Sequence, residues 1–219
     1  MNLTARSEKT VPVDDFIGEY RRMISTLPPE TEAERTERER RLQGVQQSER
    51  TAKFRRVCPS EFMQRVDPAQ LANQAAYERV KSWDGTFPGP VCTGATGASK
   101  TRAAWASLYN LNVYQNRSFA WFPVKRLITE FARYESKDLA DEFWKFYGNF
   151  NVLFVDDADK FNTQFDSEGA AIFAFYDWIY REHRPCITTT NKDRGWWSNL
   201  LGEAHTRRLF DDAHFEVRF

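Results

Sequence analysis

The sequence predicts an α/β fold in which a parallel five-stranded sheet is flanked by helices. From Val57 onward, short apolar runs alternate with segments of helical periodicity, which is typical of parallel strands joined by helices. The run Asn151–Val155 is apolar from Val152 onward and is followed by two aspartates, as expected for a strand buried on both faces. The glycine-rich segment Gly94–Thr101 lies between another apolar run and a helix-like run, which indicates a tight strand-to-helix turn.

Each predicted strand is a short apolar run, and the helices between strands carry apolar residues at helical spacing. Leu127, Phe131 and Tyr134 recur in this way and are expected to face the core. Strands are expected near residues 90–93, 118–124, 151–155, 186–190 and 215–219. Helices are expected near 100–110, 125–134, 138–148, 168–183 and 198–210, after helical segments between 62 and 83. We assign this globular domain to residues 57–219.

Residues 1–56 differ in composition from the domain and predict a charged, helical N-terminal arm. An amphipathic helix is expected from Val11 to Leu27, where two prolines end it. The segment Glu30–Arg56 is dense in Glu and Arg, with charges spaced to form ion pairs along a helix. The pairs are Glu34 with Arg38 and Glu37 with Arg41. Such a helix is either a solvated arm or a docking element for a partner protein.

Composition limits the classes of protein to which the chain can belong. It has 219 residues, and its 31 basic and 31 acidic residues cancel, so a nucleic-acid contact would have to be a local patch. Cys58, Cys92 and Cys186 have neither zinc-type spacing nor a disulfide pattern, which fits a reducing cytoplasm. No apolar run approaches membrane length and no signal peptide is legible, so we expect a cytoplasmic protein without a membrane partner.

The segment GATGASKT has the pattern of a phosphate-binding loop. In such a loop, backbone N–H groups and the following helix N-terminus surround phosphate oxygens. Lys100 would reach the outer phosphates of ATP, and the Thr101 hydroxyl would ligate Mg²⁺. Ser99 stands where the last glycine of the pattern belongs, and its Cβ limits the backbone conformation. The alternative interpretation is a surface turn with a chance Lys-Thr pair.

The predicted nucleotide-binding residues are Gly94, Ala95, Thr96, Gly97, Ala98, Ser99, Lys100, Thr101 and Arg102.

Two aspartates follow the buried strand at the sheet edge where ligands bind in α/β folds. We expect Asp156 to hold Mg²⁺ through water, with Thr101 as the other metal ligand. We expect Asp157 to orient or activate the attacking water. The alternative is a strand that ends in a solvated acidic turn. A phosphate loop and an acidic strand in this order favour the nucleotide site.

These motifs together resemble the AAA+ ATPases of the DnaC/IstB type, which are bacterial and phage helicase loaders and transposition ATPases. The matching pieces are GATGASKT-R, FPVKRL at 122–127, VLFVDDADK at 152–160 and CITTTN at 186–191. In that family the last of these strands ends in a polar sensor residue, so the resemblance implies that Asn191 contacts the attacking water or the γ-phosphate. Without the resemblance, Asn191 would be taken for a strand-end turn former.

A further piece, GEAHTRRL at 202–209, resembles the element that carries the family's arginine finger. The resemblance implies that Arg208, with Arg207 in reserve, reaches the nucleotide of a neighbouring subunit in trans. It also implies a homo-oligomer, either a ring or a spiral. The alternative is a solvated helix C-terminus, where arginines are favoured by the helix dipole.

The resemblance covers about residues 57–219 and departs from the family pattern at two points. The first departure is Ser99 in the phosphate loop. The second is the end of the chain after the predicted fifth strand, from which we expect no C-terminal lid domain and no sensor 2 arginine. The implied function is ATP hydrolysis in DNA replication or transposition of a bacterium or phage. Implied partners are a replicative helicase or transposase, bound through the arm, and single-stranded DNA.

Two further interpretations stay open. A nucleotide-gated adaptor that assembles with little turnover is favoured by Ser99 and the missing lid, and a structural protein without nucleotide would require both motifs to be accidents. Near the sensor, Trp196 and Trp197 are expected in an exposed loop, where DNA stacking or subunit contact competes with packing at the domain edge. Lys192 and Arg194 beside them are candidates for a phosphate-contacting patch.

Overall fold

A computed structural model of the protein describes residues 17–18, 30–64, 67–163 and 166–219. The chain divides into two units, residues 1–45 and 46–219. The helix predicted from Val11 to Leu27 lies outside the described residues apart from Ile17 and Gly18, which are helical. Helix α1 (Glu32–Val57) belongs to the first unit up to Val45.

The N-terminal end of α1 is fixed by reciprocal capping between Thr31 and Glu34. The Thr31 backbone N–H donates to Glu34 Oε2 at 2.9 Å, and the Glu34 N–H donates to Thr31 Oγ1 at 3.3 Å. Glu34 therefore caps the helix and does not pair with Arg38, whose partner is Glu30. The predicted pair of Glu37 with Arg41 is present, at 3.0 Å.

The second unit is a five-stranded parallel sheet with helices between the strands, as predicted. The strands are β1 (Gly89–Thr93), β2 (Phe119–Pro123), β3 (Val152–Asp156), β4 (Cys186–Thr189) and β5 (His214–Arg218). The helices are α2 (Ser60–Met63), α3 (Gln74–Lys81), α4 (Lys100–Tyr109), α5 (Val124–Glu135), α6 (Ala140–Gly148), α7 (Asp166–Arg181), α8 (Arg194–Leu201) and α9 (Glu203–Arg207).

The strand order is β2-β3-β4-β1-β5, and every adjacent pair is parallel. The central strands β1, β3 and β4 are buried on both faces, which explains the continuous apolar sequence of β3. Each face of the sheet has its own hydrophobic core. Because all strands run the same way, the carboxyl ends of β1, β3 and β4 meet at one edge of the sheet.

Helix α4 and the last turns of α1 share one of these cores. Phe54 of α1 is 2% exposed and makes edge-to-face contacts with Trp105 and Tyr109 of α4. The Arg50 guanidinium donates to the Val113 carbonyl at 3.0 Å. The compact unit therefore includes the end of α1 from Gln46 onward.

The helix expected at 198–210 begins earlier and is interrupted. The Asp193 side chain accepts the Trp196 N–H at 2.9 Å, so α8 starts at Arg194, and Gly202 ends it with φ of 81°. The two tryptophans therefore lie on a helix and not in an exposed loop. Trp197 is fully buried in the core, and its indole N–H faces the Thr190 hydroxyl at 3.3 Å.

The three cysteines are free and buried. Burial raises the pKa of the Cys58 and Cys186 thiols to about 12, and it also raises the pKa of Cys92. These thiols are therefore protonated at neutral pH, and it is the thiolate that reacts. Within the described ranges, no helix is both long and apolar enough to cross a bilayer.

Candidate functional site

The segment Gly94–Thr101 connects the carboxyl end of β1 to the first turn of α4. Gly94 has φ of 136°, and a Cβ there would lie 2.6 Å from the Phe219 carbonyl oxygen, so only glycine fits. Gly97 and Ser99 both have left-handed backbones, with φ of 82° and 71°. Ser99 thus adopts the conformation that the expected glycine would supply, and it bears the strain of its Cβ.

Backbone amides of this loop are left without protein partners. Among the described residues, the N–H groups of Thr96, Gly97, Ser99, Lys100 and Thr101 form no hydrogen bond with a protein acceptor. The last two belong to the first turn of a ten-residue helix, whose N-terminal amides have no intrahelical partner. Unpaired amides at the N-terminus of a helix are suited to bind phosphate oxygens.

The Lys100 side chain is 6% exposed and folds back across the loop. Its Nζ donates to the carbonyls of Gly94 and Ala95 at 2.9 and 2.7 Å, and to Asn191 Oδ1 at 3.0 Å. Burial lowers the pKa of Lys100, while the carboxylates of Asp157 and Asp159 act in the opposite direction. The ammonium is thus fixed between the phosphate loop and the end of β4.

Asp156 joins two strands and one helix of the site through one carboxylate oxygen. Its Oδ1 accepts the hydroxyl of Thr101 at 2.8 Å and the hydroxyl of Thr189 at 2.6 Å. Burial raises the pKa of Asp156, and the two hydroxyl bonds partly offset that effect. The two residues predicted to bind Mg²⁺ are therefore in direct contact. Carboxylate and hydroxyl oxygens are the ligands that Mg²⁺ takes from proteins, with water completing its shell.

Asp157 is exposed at the same edge of the sheet and has a left-handed backbone with φ of 52°. Its N–H donates to Thr189 Oγ1 at 2.9 Å. Thr189 therefore holds the backbone of one aspartate and the side chain of the other. Asp157 lines the cleft that Lys100 and Asn191 also line.

Asn191 lies between Lys100 and a buried carboxylate that sequence reasoning missed. Its backbone N–H donates to Asp159 Oδ1 at 2.7 Å, and its Nδ2 faces Asp159 Oδ2 at 3.5 Å. Its Oδ1 faces Lys100 and also lies 3.5 Å from the hydroxyl of Thr96. The signal that could have identified Asp159 is its place three residues after Asp156 in the acidic segment.

A cleft of about 350 Å³ brings the predicted residues together. Its walls include the loop from Thr96 to Arg102, with Asp157 and Asn191. Gly94 and Ala95 line an adjoining cleft that also contains Asn191. Phe62 of α2 is a further wall residue that the sequence did not identify, and the Arg102 guanidinium lies 5.6 Å from its ring centre.

Arg208 lies apart from this cleft. Its guanidinium donates to the Asp177 carboxylate on α7 and stacks 5.4 Å from the centre of the Tyr180 ring. Arg207 is more exposed and pairs with Asp212 at 3.3 Å. The structure therefore brings the loop, the aspartates and Asn191 together, but not Arg208.

The phosphate-contacting patch suggested beside the tryptophans is partly neutralised by ion pairs. Arg194 pairs with Asp211 at 2.7 Å and with Glu203 at 3.4 Å. Lys192 lies 5.6 Å from the Trp196 ring centre and is exposed. Arg194 is thus engaged within the chain, which leaves Lys192 as the exposed cation of the suggested pair.

Known structures share this arrangement of strands and helices. A crystal structure of the DnaC helicase loader has 19% identity, a TM-score of 0.56, and coverage of 66% of this chain and 86% of the loader. The DnaI structure has 17% identity, a TM-score of 0.56, and coverage of 74% and 94%. The chain therefore shares the fold of these two structures. The predicted fold class and the resemblance to DnaC-type AAA+ proteins are thereby confirmed.

A third neighbour is the replication initiator DnaA bound to AMPPCP and single-stranded DNA, at 14% identity and a TM-score of 0.52. The alignment covers 67% of this chain but only 45% of that initiator. No protein-family model and no curated protein matches the sequence. At identities this low, structural similarity establishes the fold alone. Activity and partners have to be argued from the site.

Proposed function

We propose that the protein binds ATP with Mg²⁺ in the cleft at Gly94–Thr101. The observation that carries this proposal is the direct contact between Thr101 and Asp156 beside a loop with five unpaired amides. The amides and Lys100 would hold the phosphates, and Thr101 and Asp156 would hold Mg²⁺. Bound Mg²⁺ would neutralise charge on the β- and γ-phosphate oxygens. Among the described residues, no cluster of three His, Cys, Asp or Glu side chains offers a competing metal site.

We further propose that the protein hydrolyses ATP. Asp157 reaches the cleft from a fixed backbone position and has the chemistry to accept a proton from an attacking water. Asn191 presents its carbonyl oxygen to the same cleft and would orient that water. Arg208 lies outside the cleft of its own chain, so as an arginine finger it would act on the nucleotide of a neighbouring subunit. The active form would then be an oligomer.

The proposed setting is DNA replication, in the role of a helicase loader or a related assembly factor. Two of the structures with this fold are DnaC, described as a helicase loader, and DnaI. The charged arm at residues 1–56, which includes the exposed turns of α1, is the element we propose for binding a replicative helicase or transposase. Single-stranded DNA is proposed as a further ligand because DnaA, which shares the fold, was solved with it.

A nucleotide-gated adaptor with little turnover is a second candidate function. The observation that favours it is Ser99, whose left-handed backbone strains the loop and places a side chain next to the phosphate position. An adaptor of this kind would bind ATP, assemble on its partner protein and release that partner slowly.

Measurement of ATP turnover, with and without single-stranded DNA, separates the two functions. Asp157→Asn is the diagnostic variant, because asparagine tolerates the left-handed backbone and removes only the charge. For a hydrolase we expect the variant to keep ATP affinity and lose at least tenfold in turnover. An equal rate in both proteins would contradict the role of Asp157. A parent that binds ATP but never turns it over would support the adaptor.

A further inference from the structure

We propose that Asp159 is a positioning residue that fixes the orientation of the Asn191 side chain at the nucleotide site. This inference rests on the proposed function, because it concerns how the sensor at that site is aligned. The Asp159 side chain is 1% exposed, and a carboxylate buried to this degree is costly unless its oxygens are hydrogen-bonded.

Both Asp159 oxygens serve Asn191. One accepts its backbone N–H at 2.7 Å, and the other faces its side-chain Nδ2 at 3.5 Å. Two cations lie near this carboxylate: Lys160, whose Nζ is 3.9 Å away on an exposed side chain, and Lys100, whose pKa it raises. A buried carboxylate with this set of partners acts mainly on the backbone and side chain of one residue.

Charge at both ends of the Asn191 amide selects one of its two orientations. The carbonyl oxygen faces the ammonium of Lys100 at 3.0 Å, and the NH₂ group faces the carboxylate of Asp159. Rotation by half a turn would place the NH₂ group against an ammonium and the carbonyl against a carboxylate, which is repulsive at both ends. An asparagine is suited to this position because it carries a donor and an acceptor at opposite ends of one plane.

The fixed orientation determines what Asn191 offers to a bound nucleotide. With its NH₂ group held by Asp159, it presents an acceptor to the cleft. That acceptor suits the O–H of an attacking water, whereas a free amide could instead donate to a phosphate oxygen. Asp159 does not line the phosphate cleft, and its hydrogen bonds connect it to the cleft through Asn191.

A double-mutant cycle tests this coupling. Asp159→Asn keeps the size of the side chain but lets Asn191 rotate, so we expect ATP turnover to fall at least tenfold. In an Asn191→Ala background the same substitution should cost less than twofold, because the group it orients is gone. Asp141→Asn, an exposed acid-to-amide change on α6, is the matched control and should leave turnover unchanged. Equal losses in both backgrounds would overturn the proposal. If the parent binds ATP without turnover, the cycle is run on affinity for a fluorescent ATP analogue with the same criteria.

Nuclear magnetic resonance of the nucleotide-free protein separates failure of this inference from failure of the proposed function. The side-chain NH₂ signals of Asn191 are assigned by their loss in Asn191→Ala. We expect Asp159→Asn to shift these signals far more than Asp141→Asn does, whether or not the protein binds ATP. Unchanged Asn191 signals would overturn the positioning role. A parent protein without affinity for ATP would contradict the proposed function. The positioning role of Asp159 would then be tested by the Asn191 signals alone.

Discussion

The Thr101 hydroxyl donates to Asp156 Oδ1 at 2.8 Å, which ties the first turn of α4 to the carboxyl end of β3. These residues are 55 positions apart in the sequence. Their contact aligns the two groups proposed to hold Mg²⁺ before any ligand enters. A pre-aligned pair loses little conformational entropy on binding the metal.

Removal of the Thr101 hydroxyl should weaken the Mg²⁺-dependent part of ATP binding. Thr101→Val keeps the shape of the side chain, so we expect a loss of about tenfold in affinity, or ~1.4 kcal/mol, when Mg²⁺ is present. Affinity measured in EDTA should change little. Thr101→Ser retains a hydroxyl and serves as the control. Titration calorimetry with and without Mg²⁺ makes the comparison, and an equal loss in both conditions would argue against metal binding by Thr101.

The left-handed backbone at Ser99 predicts opposite effects of two reciprocal substitutions in the loop. Ser99→Gly should stabilise the fold by up to about 1 kcal/mol, since strain at a non-glycine residue of ~1–2 kcal/mol outweighs the flexibility that glycine adds. Gly97→Ala should destabilise it by about 1 kcal/mol, because alanine enters the same strained region. Urea unfolding measures both. Destabilisation by Ser99→Gly would mean that the serine side chain compensates for its own strain.

Buried His214 predicts a loss of stability in mild acid. Burial lowers its pKa to about 3 from an ordinary value of 6.5. Between these values the unfolded chain binds a proton that the folded chain does not, so stability present above pH 6.5 is lost as the pH falls. From pH 7.5 to pH 5 the loss should be about 2 kcal/mol. His214→Gln, though less stable at pH 7.5, should lose less over this range. Parallel stability curves for the two proteins would contradict the assignment.

A neighbour-supplied arginine predicts rescue in mixed oligomers. Arg208→Ala and Lys100→Ala should each lack ATPase activity alone. Mixed together, they should regain part of the activity, because some interfaces then pair an intact loop with an intact Arg208. Arg207→Ala is the control and should retain activity if Arg208 is the finger. Mixtures shown to co-assemble but without recovered turnover would exclude a contribution in trans.

The strands were predictable because burial on both faces leaves a continuous apolar run, as in β3. The helix predicted at 198–210 was wrong in its start and its continuity, because the Asp193 cap and the break at Gly202 outweigh apolar periodicity. The phosphate loop and Asp156 could be predicted because each follows an apolar strand directly in the sequence. The partners of Asn191 were not, because contacts between the ends of separate strands depend on the register of the sheet.

Phe62 and Asp159 are two site residues that could not be predicted from the sequence. Each sits in a segment whose sequence reads as an ordinary helix or turn, and each reaches the cleft or the sensor only through tertiary packing. The Arg208 ion pair with Asp177 likewise joins α7 to the segment before β5, 31 residues apart.

The most direct test of the account is the affinity of the protein for ATP with Mg²⁺, measured by titration with a fluorescent ATP analogue in the parent and in Lys100→Ala. Lys100 bridges the loop carbonyls and Asn191, so its removal should abolish detectable binding while circular dichroism shows an intact fold. Lys81→Ala, at an exposed ion pair on α3, is the control and should bind like the parent. Equal affinity of Lys100→Ala and the parent would contradict the assignment of the nucleotide site.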